Sequence, residues 1–183
     1  MIELNNSPFP VIKTERLLLR SVEKSDAPEM LFLRSDETVM QYIDRDRIKS
    51  IEDAETFILK LKESVETNEN ILWVICFQDQ PDTLIGNIGY WRIQIPHSRA
   101  EVGYLLHPDH WNKGIMKEAL KAVIQYGFDI MKLHSIEARI NPENIASGKL
   151  LEKTGFTREA YFKEDYFYNG RFRDTAVYSL LIK

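Results

Sequence analysis

Apolar and polar positions recur along this chain with two periods, and the points where the period changes divide it into elements. Arg16-Leu-Leu-Leu-Arg20, an apolar run between charges, reads as a first strand. Ser25-Asp26-Ala27-Pro28 then sets a capping residue ahead of a first-turn proline, predicting a helix that ends near Arg34. A second, short helix is predicted over Glu37 to Tyr42. Ser50 opens a third, with Glu52 and Asp53 where negative charge suits the helix dipole. In it Ile51, Ala54, Ile58 and Leu61 recur at helical spacing until the polar Thr67-Asn-Glu-Asn70.

After Asn70 the branched and aromatic residues of Ile71 to Phe77 predict a strand. Two more follow, Leu84 to Ile93 beyond the turn at Gln80-Pro-Asp82 and Ala100 to Leu106, as consecutive antiparallel neighbours. From Lys113 the period is helical again, with Met116, Leu120, Val123, Gly127 and Ile130 on one face. A strand at Ser135 to Ile140 comes next, then a helix from Glu143 to Thr154 closed by Gly155. The last strands, Thr157 to Tyr161 and Arg173 to Ile182, flank an Asn169-Gly170 hairpin turn. This order predicts an α/β (α+β) fold in which a mixed, mostly antiparallel sheet of about six to seven strands carries helices on both faces. Glu101 to Ile140 is strand–helix–strand, which implies a parallel pair with a right-handed crossover. Ligands of open α/β sheets bind near the carboxyl ends of such strands, which directs attention to the residues just after Leu106.

Composition narrows the class. The 183 residues, 44% hydrophobic and 28% charged, fit one globular domain over 1–183, with its core at about 14–182. No apolar run approaches the ~18 residues of a membrane span. The opening Met-Ile-Glu-Leu-Asn-Asn-Ser-Pro lacks the basic and apolar regions of a signal peptide. A single cysteine, Cys76, makes no internal disulfide and fits a reducing, cytoplasmic setting. A net charge of −4 argues against nucleic acid as partner. His97, His107, His110 and His134 lack metal-ligand spacing, so no metal is expected.

The chemistry concentrates in Glu101-Val-Gly-Tyr-Leu-Leu-His-Pro-Asp-His-Trp-Asn-Lys-Gly-Ile-Met-Lys-Glu-Ala-Leu120, a strand leading through a short loop into a long helix. The first amides of a helix lack backbone partners and sit at the positive end of its dipole, so they hold phosphate without side-chain help. Gly114 permits close approach, and Lys113 and Lys117 add charge. On those residues alone, a phosphate site and an ordinary turn with solvated lysines remain equally open.

Trp111-Asn-Lys-Gly-Ile-Met-Lys-Glu-Ala-Leu120 resembles the acetyl-CoA pyrophosphate loop of the GNAT superfamily. It departs from the general pattern [Gln/Arg]-x-x-Gly-x-[Gly/Ala] at Trp111 and Met116, in the form typical of the ribosomal-protein N-terminal alanine/serine acetyltransferase branch. The similarity is collinear over nearly the whole chain. It takes in Thr14-Glu-Arg-Leu-Leu-Leu-Arg20, Ile85-Gly-Asn-Ile-Gly89, Glu101-Val-Gly-Tyr104, Asn141-Pro-Glu-Asn-Ile-Ala-Ser147 and Leu151-Glu-Lys-Thr-Gly-Phe156. The resemblance implies an N-acetyltransferase using acetyl-CoA as co-substrate. The strand ending at Leu106 would splay from the one at Ser135 to Ile140, and pantetheine would lie in the gap against backbone groups of Tyr104, Leu105 and Leu106. The amides of Trp111, Asn112, Lys113, Gly114, Ile115, Met116 and Lys117 would hold the pyrophosphate, with Asn141 and Asn144 on the pantetheine arm.

Acetyl transfer to an amine needs a base, an oxyanion donor and help for the departing thiolate. Glu101 is the candidate base, with an ordinary strand carboxylate as the competing reading. A backbone N–H near Leu105, where the family has a β-bulge, would meet the oxyanion. Many relatives place a tyrosine acid where this chain has Leu151, so that acid is absent. The ribosomal-protein branch uses a serine matched by Ser147, which could instead simply bond backbone in a first helical turn.

Other conspicuous residues carry blander expectations. Cys76, Trp73 and Trp91 are expected in the core, and His107 and His110 on the loop surface. Tyr161, Phe162, Tyr166, Phe167, Tyr168 and Phe172 are expected to pack around a late hairpin, with base stacking in an RNA-binding domain as the weaker alternative. Asp36, Glu37, Asp44 and Asp46 are expected near the acceptor side, where they would attract a cationic amine, with ordinary solvation as the competing reading. The acceptor stays open between a protein N-terminal α-amine and a small-molecule amine (amino acid, polyamine or aminoglycoside-like). A non-catalytic acyl-CoA-binding sensor and a homodimer through the late strands also stay open.

Overall fold

The computed structural model describes residues 6–182, so the readings made on Met1 to Asn5 and on Lys183 lie outside the described residues. Strand β3, Ile71–Phe77, explains the architecture: Ile71, Trp73 and Ile75 enter one core while Leu72, Val74 and Cys76 enter another. A strand buried on both faces reads as a continuous apolar run, and a helical layer must cover each side. Below β3 lies α4 (Ile115–Asp129), contributing Ile115, Ala119, Leu120 and Val123, together with Leu151 of α5 (Ile145–Lys153). Above it lie α1 (Ala27–Ser35), α2 (Glu37–Met40) and α3 (Ile51–Glu66), with Met30, Leu33, Ala54, Ile58 and Leu61 buried. Each such side chain taken from water contributes about 1.5–3 kcal/mol at most.

Among the described residues the sheet has eight strands in the order β1-β2-β3-β4-β5-β6-β8-β7. The remaining strands are β1 (Ile12–Lys13), β2 (Leu17–Arg20), β4 (Gly86–Gln94), β5 (Arg99–Leu106), β6 (Ser135–Ile140), β7 (Thr157–Tyr168) and β8 (Arg171–Leu181). Every adjacent pair is antiparallel except β5–β6. The mixed sheet, its parallel pair and its two helical layers are as the sequence predicts. The eighth strand comes from β1, whose two residues are too short to show a period.

Local signals explain most boundaries. Ser50 accepts the Asp53 N–H at 3.1 Å to open α3, and Asp36 accepts from Thr38 and Val39 to open α2. Asp26 behaves differently from the expected helix cap. Its buried carboxylate takes both guanidinium nitrogens of Arg20 at 2.8 Å and the Glu23 N–H at 2.7 Å, tying β2 to the turn before α1. Gly155, at φ +99°, closes α5: its N–H donates to Glu152 O, and the Phe156 N–H donates to Leu151 O. Leu151 and Phe156 are both buried, so Leu-x-x-x-Gly-Phe is a hydrophobically anchored helix stop.

The late hairpin corrects one expectation. Strand β7 runs on to Tyr168, and the turn is Asn169-Gly170 with both residues at positive φ. The aromatic side chains do not form a core there: Tyr161 and Phe162 are exposed, and Phe167 and Phe172, 62% exposed each, meet edge-to-face on the hairpin. The hairpin projects past the sheet and reaches the loop after α2, where the Tyr166 hydroxyl donates to Asp44.

Candidate active site

Strands β5 and β6 pair over three positions only, Arg99↔Ser135, Ala100↔Ile136 and Glu101↔Glu137. Beyond them β5 continues to Leu106 along β4, β6 continues to Ile140 along β8, and no β5–β6 partner is formed. A gap therefore opens at the carboxyl ends of the parallel pair, where ligands of α/β sheets bind.

Ladder alternation sets which backbone groups face that gap. The His107 N–H donates to Ile85 O at 2.8 Å, in the same register as Asn87↔Leu105. Leu105, Gly103 and Glu101 thus turn their N–H and C=O toward β4, while Val102, Tyr104 and Leu106 turn theirs toward β6. This corrects the expectation for Leu105: its amide belongs to the β4 ladder. The expected bulge lies on β4 instead, between Trp91 and Gln94, where Arg92 has φ +47°. The Leu106 carbonyl is occupied as well, accepting the Trp111 indole N–H at 2.8 Å. The backbone groups that remain toward the gap are the N–H and C=O of Tyr104 and the N–H of Leu106.

Both parallel strands lead into helix N-termini at this end. After β5, a turn over Pro108–His110 brings the chain to Asn112 and Gly114, both in the left-handed conformation at φ +58° and +75°. Gly114 caps α4 with no side-chain oxygen on the first amides. The amides of Ile115, Met116 and Lys117 are left for a ligand, while the side chains of Ile115 and Met116 are in the core. Lys113 and Lys117 are exposed beside them. The turn is braced by a group that sequence reasoning missed. Glu118 accepts from the Thr14 hydroxyl (2.6 Å), the Arg16 N–H (2.9 Å) and the Arg16 guanidinium (2.7 Å), and Arg16 in turn donates to Lys113 O (3.1 Å). Burial raises the pKa of Glu118, but the hydrogen bonds from Thr14 and Arg16 outweigh it and leave it below its ordinary value. The signal was present: Thr14, Arg16 and Glu118 all fall inside quoted motifs.

After β6, Asn141 and Asn144 form nested caps. Asn141 Oδ1 accepts from Glu143 N–H at 2.9 Å, and Asn144 Oδ1 accepts from Ser147 N–H at 3.0 Å. Each asparagine spends its oxygen on this turn and keeps its NH2 group as the donor that can reach outward. The caps aim Ser147, which is buried, at Tyr104: the two hydroxyls are 2.7 Å apart. Tyr104 was expected through its backbone alone, because a strand tyrosine reads as alternating core. Burial pushes its phenol up to about 12, against the lowering effect of the Ser147 hydrogen bond.

Glu101 occupies the other face of β5. Even-numbered Ala100, Val102, Tyr104 and Leu106 pack toward α4, while Leu105 packs toward α1 and α3, so Glu101 lies on the α1–α3 face and Ser147–Tyr104 on the α4–α5 face. Glu101 accepts from Arg92 at 3.0 Å and is paired in register with Glu137. Burial raises its pKa above the ordinary value; Arg92 opposes the rise and Glu137 adds to it. Around it, Arg99 bonds Glu137 at 2.5 Å, Ser135 and Ser179, and Arg139 meets Asp165 at 3.3 Å. Of the acidic residues expected here, Asp44 binds Tyr166, Asp36 caps α2, and Glu37 pairs with Arg47.

The remaining residues fall mostly as expected. Cys76 is fully buried, and burial pushes its thiol up to about 11; Trp73 is buried too. Leu151 is fully buried, so no acid stands there. His107 stacks on Phe32 with ring centroids 4.5 Å apart, bringing α1 alongside the end of β5. Among the described residues no group of three or more His, Cys, Asp or Glu could hold a metal ion, and no helix is long and apolar enough to cross a membrane.

Residues 16–157 match the sequence family described as acetyltransferase (GNAT) domain. An uncharacterized N-acetyltransferase of Bacillus subtilis, YoaA, is 35% identical over 173 residues, covering 94% of this chain and 97% of the relative. The solved ribosomal-protein-S5-alanine acetyltransferase from Vibrio fischeri superposes with a TM-score of 0.82 at 26% identity, covering 94% of this chain and 96% of that one. Spermidine N-acetyltransferase from Vibrio cholerae, in complex with CoA and spermine, gives 0.80 at 26% identity, covering 92% and 96%.

Proposed function

The chain belongs to the GNAT acetyltransferase family and is an N-acetyltransferase, and we propose that it moves the acetyl group of acetyl-CoA onto a primary amine in the β5–β6 gap. One observation carries the reading: the parallel pair parts after Glu101 directly before a helix start whose amides no side chain caps. CoA in the Vibrio cholerae relative supports the choice of cofactor. Here its pyrophosphate would meet the amides of Asn112 to Lys117, and its pantetheine would run along Tyr104 and Leu106, with the Asn141 and Asn144 NH2 groups beside it.

The proposed chemistry is direct attack. The amine reaches the gap from the α1–α3 face and gives up its proton to Glu101, directly or through a water. A carboxylate with a raised pKa is the better base for this, since its basicity lies closer to that of the amine. As the N–C bond forms, the carbonyl oxygen gains charge that the gap-facing Tyr104 or Leu106 N–H can meet. The C–S bond then breaks toward the opposite face, and the thiolate takes a proton from Ser147 Oγ. Tyr104, protonated at rest, passes a proton to Ser147 as Ser147 gives up its own, and the phenol then recovers one from solvent. Acid and base thus act from opposite sides of the sheet.

The acceptor class follows from kinetics. Calorimetric binding of acetyl-CoA, with thiol release assayed in the same preparation against N-terminal peptides, amino acids and polyamines, tests the whole reading. Binding with amine-dependent release supports it. Release with peptides alone selects a protein α-amine, and release with small amines alone selects a metabolite. Absence of binding, or binding without release, overturns it.

A further inference from the structure

The cations on the acceptor face divide into two groups. Arg92, Arg99, Arg139 and Arg173 each face a carboxylate, Glu101, Glu137, Asp165 and Asp44 respectively. Among the described residues Arg34 and Arg45 make no ion pair. Arg34 stands near the end of α1, partly buried, with its guanidinium 4.7 Å over the Phe57 ring and a solvent-shielded Nε that has no hydrogen-bond partner. Its carbonyl accepts the Ile48 N–H at 3.1 Å, which folds the loop carrying Arg45 back over α1.

That loop borders the charged cluster around Glu101: Asp44 meets Arg173 and Tyr166, the nearby Asp165 meets Arg139, and Arg139 meets Glu137, the register partner of Glu101. It is fastened at one end to α1 through Ile48 and at the other to the late hairpin through Asp44, and α1 itself reaches β5 through Phe32 and His107. Arg45 is a charged neighbour of both Arg34 and Glu101: it lowers the pKa of Arg34, behind the larger effect of burial, and pulls that of Glu101 down. Two neighbouring guanidinium groups, one partly desolvated and neither neutralised, form an arrangement that an anion would relieve.

We propose that the acceptor carries a carboxylate in addition to its amine, and that Arg34 and Arg45 receive the carboxylate while the amine lies at Glu101. The inference rests on the transfer reading and narrows its substrate to amino acids or acidic peptides. A polyamine would bring its second positive charge against the same two arginines. The Arg34–Arg45 pair would then select the acceptor, and Glu101 would act on it.

Initial rates at saturating acetyl-CoA test this with acceptor pairs that differ by one carboxylate: lysine against cadaverine, and Ala-Glu amide against Ala-Gln amide. The expected result is a KM about tenfold or more lower for the carboxylate partner of at least one pair, the pair itself separating free amino acids from peptides. Arg45→Gln, at an exposed position, is expected to abolish the difference while leaving the acetyl-CoA KM unchanged, and Arg45→Glu to invert it. Arg34→Lys, which keeps the charge but loses the planar fork, is expected to weaken it partly. Equal KM values within both pairs, preference for cadaverine or spermidine, or a difference that survives Arg45→Glu would overturn the inference with the transferase intact. Absence of thiol release with every amine would instead remove the transfer reading, and this inference with it.

Discussion

The Tyr104 phenol and the Ser147 hydroxyl meet at 2.7 Å across the opening between β5 and the first turn of α5. Neither belongs to the other's element, and the Asn144 cap fixes the approach by holding the Ser147 amide at 3.0 Å. Burial raises the pKa of the Tyr104 phenol, so the pair is two neutral hydroxyls at physiological pH.

Two hydroxyls acting in series are expected to be non-additive. Ser147→Ala should lower kcat about 10²-fold with little change in acetyl-CoA KM, and Tyr104→Phe should lower it less. The double variant should be no slower than Ser147→Ala. Steady-state thiol release measures all three; a double variant slower by the product of the single effects would mean that the hydroxyls act independently.

Glu101 should set the acid limb of the pH–rate profile. Because burial raises its pKa, the rise of kcat/KM with pH should be centred above the ~4.3 of a free glutamate. Glu101→Gln should cost about 10²-fold and remove that limb, leaving only the ionisation of the amine. An unchanged profile in the variant would assign the base elsewhere.

The Thr14–Arg16–Glu118 brace should act on cofactor binding and on stability at low pH. Glu118→Gln loses the ion pair that holds Arg16 against Lys113 O, so acetyl-CoA KM should rise several-fold at nearly constant kcat. The pKa of Glu118 is lower folded than unfolded, so its contribution is complete above the unfolded value of ~4.3 and lost as pH falls through the folded one. Denaturant midpoints taken across that interval should fall more for the parent chain than for Glu118→Gln; parallel curves would show that the brace carries no stability.

The sequence disclosed what periodicity and capping encode and concealed what depends on one strand meeting another. Ser50, Asn144 and Gly155 act locally, so their helices fall within a few residues of expectation. Asp26 was misread because its carboxylate answers Arg20 on β2, a contact that no local window contains. Leu105 is expected in the gap together with Tyr104 and Leu106, and drops out because the direction of its N–H depends on the register with β4. The aromatic run from Tyr161 to Phe172 reads as core because its residues bury well when a partner layer exists; on the hairpin Tyr161, Phe162, Phe167 and Phe172 stay exposed, and Tyr166 and Tyr168 are half-buried. Tyr104 concealed its role because an inward strand tyrosine and a catalytic one share the same pattern.

The three-position contact between β5 and β6 has a consequence for how the molecule breathes. Strands β1 to β5 form one continuous ladder and β6, β8 and β7 another, joined edge to edge over Arg99–Glu101 and Ser135–Glu137, with Ser98 O also accepting from the His134 and Ser135 N–H groups. The ladder is therefore expected to part most easily along this seam, with the second strand set opening at a free energy below that of global unfolding although both sets share one core. Amide hydrogens of β6 and β8 should then exchange faster than those of β3 and β4, and a pantetheine lying along the open seam, as a surrogate strand, should slow them toward the same rate.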